Sequence, residues 1–276
     1  MPDIITEALL EMHFHRAIVE HFSKVYGANF LRLLKPSSQK EVWVGFDQGW
    51  ICTPLTTEQF FAELSQAIQS SAQNVARFYL GYFLQFKTVQ KITRKSALMP
   101  ERYITPYFRS ELSVKPNPTT RLSQHETLLR LNEIHSTNVC YACAMLFDLD
   151  EIYVAPNVNR LRCVDISSSP RGWATNERHF ITFQCEDDPT PFWCSQPMPA
   201  VALSFDEWAS PESKIGPKKL TAEDVIRFMK DSAQMLNAQN EREKQLPLLS
   251  EATRDSLGLL PESLTILEFK KELVGG

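Results

Sequence analysis

Residues 77–87 read RFYLGYFLQFK, an aromatic and aliphatic run that finishes on an amide, Gln85, and an ammonium, Lys87. A segment apolar on both faces suits a strand with neighbours on each side and cover above and below, so it is read as the central strand of a sheet. The two-residue period of a strand sends Gln85 and Lys87 off the same face. Polar groups at the end of a buried strand either reach for solvent, as a snorkelling lysine does, or carry chemistry.

Upstream, EVWVGFDQGWI at 41–51 alternates so that Glu41, Trp43, Gly45 and Asp47 share a side if no bulge intervenes. Pairing with the central strand then sets Asp47 beside Gln85 and Lys87. Asp47 within FDQG also suits a turn. Glu41 lies about 20 Å along the strand from Asp47 at ~3.3 Å per residue, a poor direct partner for it unless the strand bulges. NFLRLLKPS supplies a short strand ended by Pro36, Ser37 and Ser38.

Residues 3–26 are expected as an opening helix with Ile4, Ala8, Leu9, Met12 and Ile18 on its apolar face and Gly27 as its stop. Glu7, Glu11 and His15 fall at successive i+4 positions and form a neighbouring stripe. The stretch TTEQFFAELSQAIQSSA, with Thr56 and Gln59 at capping-box spacing, reads as a helix between two strands. After the central strand a proline-punctuated segment follows, with YFRSELSV extended within it. A helix restarts at SQHETLLRLNEIH, where Ser123 is the N-cap, Glu126 stands at N3, and Leu128, Leu131 and Ile134 point inward. NVCYACAMLF is a fourth strand, DLDEIYV a short helix or turn, and LRCVDI and RHFITFQC short antiparallel strands. The tail reads as helices, AEDVIRFMKDSAQML capped by Thr221 and Asp224, then a looser one to the end.

The net charge of −4 argues against blanket attraction to nucleic acid, yet residues 87–121 hold eight basic residues against Glu101 and Glu111. Such a run is either a solvated face or a phosphate-gripping patch, and its place directly after FLQFK favours the second. Lys91, Arg94, Lys95 and Arg109 are the residues of it expected to hold nucleic acid. No apolar run approaches the ~18–20 residues of a membrane helix, and the first residues lack the layout of a signal peptide, so a cytoplasmic chain without membrane contact is expected. The six cysteines are irregularly spaced and read as reduced thiols. Cys140 and Cys143 fall three apart on a strand, hence on opposite faces, which suits buried thiols better than a zinc site. His13, His15 and His21 lack H-E-x-x-H spacing, and neither a G-x-x-x-x-G-K phosphate loop nor a G-x-S-x-G elbow occurs.

The order helix, strand, strand with Asp47, strand ending Gln85-x-Lys87, helix opening on Gln124, strand resembles the PD-(D/E)xK nuclease superfamily. EVWVGFDQGW, FLQFK, PYFR, QHETLLRL and VCYACAMLFDLDEI in this order resemble an uncharacterised bacterial branch with a Gln-x-Lys variant of the third motif. The likeness covers about residues 5–195. It implies an α/β, restriction-endonuclease-like α-β-β-β-α-β core with a mixed sheet flanked by helices over residues 1–205, and the helical pattern of the tail adds an extension over 206–276. It further implies a Mg²⁺- or Mn²⁺-dependent endonuclease acting on DNA, RNA remaining open, in bacterial host defence, as a homodimer or with a partner subunit. By the same likeness Asp47, Gln85 and the helix-borne Glu11, or Glu7, hold the metal. Lys87 acts on the attacking water, and Gln124 positions water or phosphate near a helix N-terminus.

Phosphodiester hydrolysis has its own reasons for these residue types: hard oxygens to hold Mg²⁺ and a cation for developing charge. Gln85 departs from the acid usual at its position, and an amide brings an oxygen without a full charge. That substitution motivates an alternative, a catalytically inactive nuclease-fold protein that binds nucleic acid or a partner. A third reading makes the C-terminal helices a docking interface and the basic segment incidental.

Overall fold

The computed structural model describes residues 5–26, 31–36, 46–52, 79–116, 122–133, 137–173, 177–194, 197–210, 219–220 and 264–268. Its centre is the expected buried strand, β3 (Tyr79–Thr88), which pairs antiparallel with β2 (Gln48–Cys52) and parallel with β6 (Thr137–Ala144). β1 (Leu31–Pro36) lies outside β2, and β7 (Leu161–Asp165) and β11 (Ala202–Ser204) extend the sheet beyond β6. A parallel β3–β6 pair needs a long crossover. That crossover carries β4 (Gln90–Ile92), β5 (Tyr107–Leu112) and helix α2 (Gln124–Glu133).

β4 and β5 belong to a second, wholly antiparallel sheet, ordered β10 (Met198–Pro199), β9 (Phe192–Cys194), β8 (His179–Phe183), β5, β4. The protein is thus α/β with one mixed and one antiparallel sheet, where the sequence led to one sheet only. The extended reading of YFRSELSV is met by β5, whose Phe108 and Leu112 face inward and join Phe83, Tyr141 and Trp193 in the core between the layers.

The opening helix, α1 (Glu7–Tyr26), covers the other face of the main sheet. Its buried row is Leu10, Phe14, Ile18 and Phe22, spaced by four, packed with Trp50, Tyr82, Leu84 and Phe86. The expected face was only partly right: Ile18 is buried, but Ala8 is exposed and Met12 is 76% exposed. The helix carries more apolar residues than one face needs, and the sheet takes the row holding both phenylalanines. Burial of each such side chain stabilises by about 1.5–3 kcal/mol, which favours that choice.

The tail also departs from the reading. Residues 264–268 form β13 (Leu264–Glu268) antiparallel to β1, not helix, and β12 (Lys219–Leu220) pairs with the start of β3. Parts of the expected extension therefore join the main sheet, where β-branched Thr265 and Ile266 suit a strand. Helix α3 (Phe205–Ala209) buries Phe205 and Trp208 beside α1, capped by Ser204 and Glu207. Glu41 and the helices expected at 56–72 and 222–236 lie outside the described residues. Among the described residues no helix is long and apolar enough to cross a membrane.

Candidate functional site

The β2–β3 ladder ends in a side chain. Beyond the Gln48–Leu84 pair, the Asp47 N–H donates to the Leu84 carbonyl at 2.9 Å. The Asp47 carboxylate then turns back, and Oδ2 accepts the Phe86 N–H at 2.7 Å where a strand carbonyl would otherwise stand. The same oxygen accepts Gln85 Nε2 at 2.8 Å. Asp47 is 6% exposed and Gln85 1%. Gly49 leaves room for this packing, since a Cβ there would meet Phe83 Cε1 at 2.8 Å.

The amide orientation follows from charge, because the reverse would press two oxygens together. Gln85 Oε1 consequently points away from Asp47 and is buried without a hydrogen-bond partner among the described residues. An orphaned buried carbonyl oxygen costs about 1–3 kcal/mol and asks for a donor or a cation.

Two residues on, the Lys87 side chain is 4% exposed and its Nζ donates to Glu7 Oε1 at 2.7 Å. The contact ties the first turn of α1 to the end of β3. Glu11, one turn later, accepts Gln48 Nε2 at 3.1 Å, while Gln48 Oε1 accepts Trp50 Nε1 at 3.1 Å. Of the two helix acids, Glu7 meets the lysine and Glu11 joins a polar link beside Trp50, on the side packed against α1.

Gln124 opens α2 as expected: Ser123 Oγ accepts the Glu126 N–H at 3.1 Å and Glu126 Oε2 accepts the Ser123 N–H at 2.7 Å. Gln124, Lys87 and Glu7 line one pocket of about 570 Å³ together with residues 111–115, Leu122, Glu177 and Arg178. Asp47 and Gln85 are not part of its lining. Sequence reasoning missed Arg178, which immediately precedes β8 and forks onto both Glu111 oxygens at 2.9 and 2.5 Å. That guanidinium holds the Glu111 carboxyl below its ordinary range. Lys87, Lys115 and Arg178 face Glu7, Glu111 and Glu177 in the lining, so the pocket's charges balance.

The four residues expected to hold nucleic acid stand apart from this pocket. Lys91, on β4, and Arg94 and Lys95 beyond it are exposed. Arg109 is half-buried on β5 with its guanidinium 4.8 Å over the Phe180 ring, and Arg102 stands 3.9 Å over Phe192. Cys140 and Cys143 join cores on opposite faces of the main sheet, as their spacing implied. Burial pushes the Cys143 thiol up to about 12. Among the described residues no group of three His, Cys, Asp or Glu side chains could hold a metal ion.

Comparison of the chain with family models, curated proteins and solved structures finds no match.

Proposed function

We propose that the chain is a metal-dependent phosphodiesterase, an endodeoxyribonuclease with a Gln-x-Lys variant of the PD-(D/E)xK arrangement. The observation that carries the reading is the gathering of Asp47, Gln85 and Lys87 at one end of β3, with the lysine opening into the pocket lined by Gln124. Asp47 and Gln85 would hold Mg²⁺ or Mn²⁺ through hard oxygens once the Gln85 amide turns, because Oε1 faces away from Asp47 and has no hydrogen-bond partner among the described residues. A bound divalent ion supplies Lewis acidity and an acidified water.

The remaining work belongs to the chain. The Glu7 carboxylate fixes the Lys87 ammonium in one place at 2.7 Å. From there the ammonium offsets negative charge gathering on a phosphoryl oxygen. Gln124, at the start of α2, offers its amide to a phosphate or water at the positive end of the helix dipole. The test is nicking of supercoiled plasmid with Mg²⁺ or Mn²⁺ against an EDTA control: turnover only with metal supports the reading, and metal-independent turnover removes it.

A second reading has its own observation. The Asp47 oxygen that meets Gln85 also closes the β2–β3 ladder on Phe86, which is a structural duty. A catalytically inactive nucleic-acid-binding protein fits that duty. It predicts salt-sensitive binding whose affinity EDTA leaves unchanged, with no cleavage under either metal.

A further inference from the structure

The pocket at Lys87 combines two surfaces. Lys87, Lys115 and Gln124 offer ammonium and amide groups, Glu7 and Glu111 are paired with Lys87 and Arg178 while Glu177 adds a third carboxylate, and Leu112, Val114 and Leu122 offer aliphatic wall. Its volume of about 570 Å³ falls in the ~300–1,000 Å³ range of sites that enclose a small molecule. The Lys87 side chain is 4% exposed and forms part of this wall, so a phosphate meets its ammonium by entering the pocket. One side is formed by residues 113–115, which run on after β5 leaves its pairing with β8 at Leu112.

A base-paired duplex stacks its bases inside and cannot offer a base to an aliphatic wall while its phosphate enters the same cavity. An unpaired nucleotide offers both, as enzymes that act on single strands or extruded nucleotides require. We infer that the pocket admits one unpaired nucleotide of single-stranded or frayed DNA, its phosphate on Lys87, Lys115 and Gln124 and its sugar or base against Leu112, Val114 and Leu122. The inference rests on the phosphodiesterase reading for the role of Lys87 and adds the substrate class.

The experiment is equilibrium binding of a short fluorescein-labelled DNA strand and of its blunt duplex, in EDTA at one fixed salt concentration. Ser113 is exposed and lines the pocket, so Ser113→Trp fills the cavity without removing a charge. The single strand is expected to bind at least about tenfold more tightly than the duplex, and Ser113→Trp to abolish that difference. Lys115→Ala, with folding checked by its denaturation midpoint, is expected to weaken single-strand binding if the tryptophan variant misfolds. Duplex binding equal to or tighter than single-strand binding overturns the inference, as does a preference that folded Ser113→Trp and Lys115→Ala both leave intact.

Metal-supplemented cleavage in the same samples separates the two claims. A pocket-dependent single-strand preference without turnover keeps the inference as a binding site and removes the nuclease. Metal-dependent turnover with duplex bound as tightly as single strand removes the inference and keeps the nuclease.

Discussion

The Gln85 amide nitrogen donates to Asp47 Oδ2 at 2.8 Å, and that oxygen also receives the Phe86 N–H at 2.7 Å. One carboxylate oxygen thus joins two strands and orients the amide beside it. Asp47→Ala removes the acceptor of a buried N–H and is expected to destabilise the fold by about 1–3 kcal/mol. Asp47→Asn can keep an amide oxygen where Oδ2 accepts both the Phe86 N–H and Gln85 Nε2, so its stability stays near wild type. Urea denaturation of the two variants checks this, and an alanine variant as stable as the parent contradicts it.

Gln85→Glu restores a charge beside Asp47. Two adjacent carboxylates repel without a cation and share one when it is present. The variant is expected to bind Mn²⁺ at least about tenfold more tightly than wild type, a gain near 1.4 kcal/mol. It should also melt at lower temperature in EDTA. Calorimetric titration with Mn²⁺ reads the first effect, and an unchanged affinity counts against a metal position at Gln85.

The Glu7–Lys87 pair is unequal in burial, with the lysine side chain 4% exposed and the glutamate 42%. Glu7→Gln leaves the ammonium buried without a counter-charge. The expected loss is about 1–2 kcal/mol, below the ~3–5 kcal/mol of a fully buried pair because water reaches Glu7. Adding Lys87→Met should recover most of it. A double-mutant cycle by chemical denaturation measures the coupling, and additive losses would show that the pair does not act as one.

Acid should weaken the fold through His125, which stacks on Trp173 with ring centroids 4.4 Å apart and meets the Tyr141 hydroxyl at 2.9 Å. Burial holds its pKa down to about 4 from an ordinary 6.5; the Pro170 carbonyl and Glu126 act the other way, and His179 adds to the lowering. The unfolded chain therefore binds the proton first. Stability is full above pH 6.5, falls as pH drops from 6.5 towards 4, and flattens below, by at most about 3 kcal/mol for this group. Burial lowers His21 as well, and its slope has the same sign. Urea midpoints across this range, compared with His125→Gln, should show a shallower slope in the variant.

Local pattern made the centre of the molecule legible. The doubly apolar run at 77–87 located β3, and the Ser123–Glu126 spacing fixed the start of α2. Where two local patterns competed, the outcome depended on tertiary contact. On α1 two apolar rows were available, and the sheet selected the one with Phe14 and Phe22. Leu264–Glu268 became a strand because β1 offered it an edge. The pocket was less legible still, since Lys87 and Arg178 stand ninety-one positions apart in the chain and no spacing rule joins them.

We propose that Asp47 and Lys87 carry metal-dependent phosphodiester hydrolysis. Its most direct test compares wild type, Asp47→Asn and Lys87→Ala on plasmid and single-stranded DNA, with and without Mg²⁺ or Mn²⁺, after matching their folding by denaturation midpoint. Wild type is expected to cleave only with metal and each variant to lose at least about a hundredfold, with DNA binding largely retained. Full cleavage by folded Lys87→Ala, or none by wild type under either metal, would contradict the proposal.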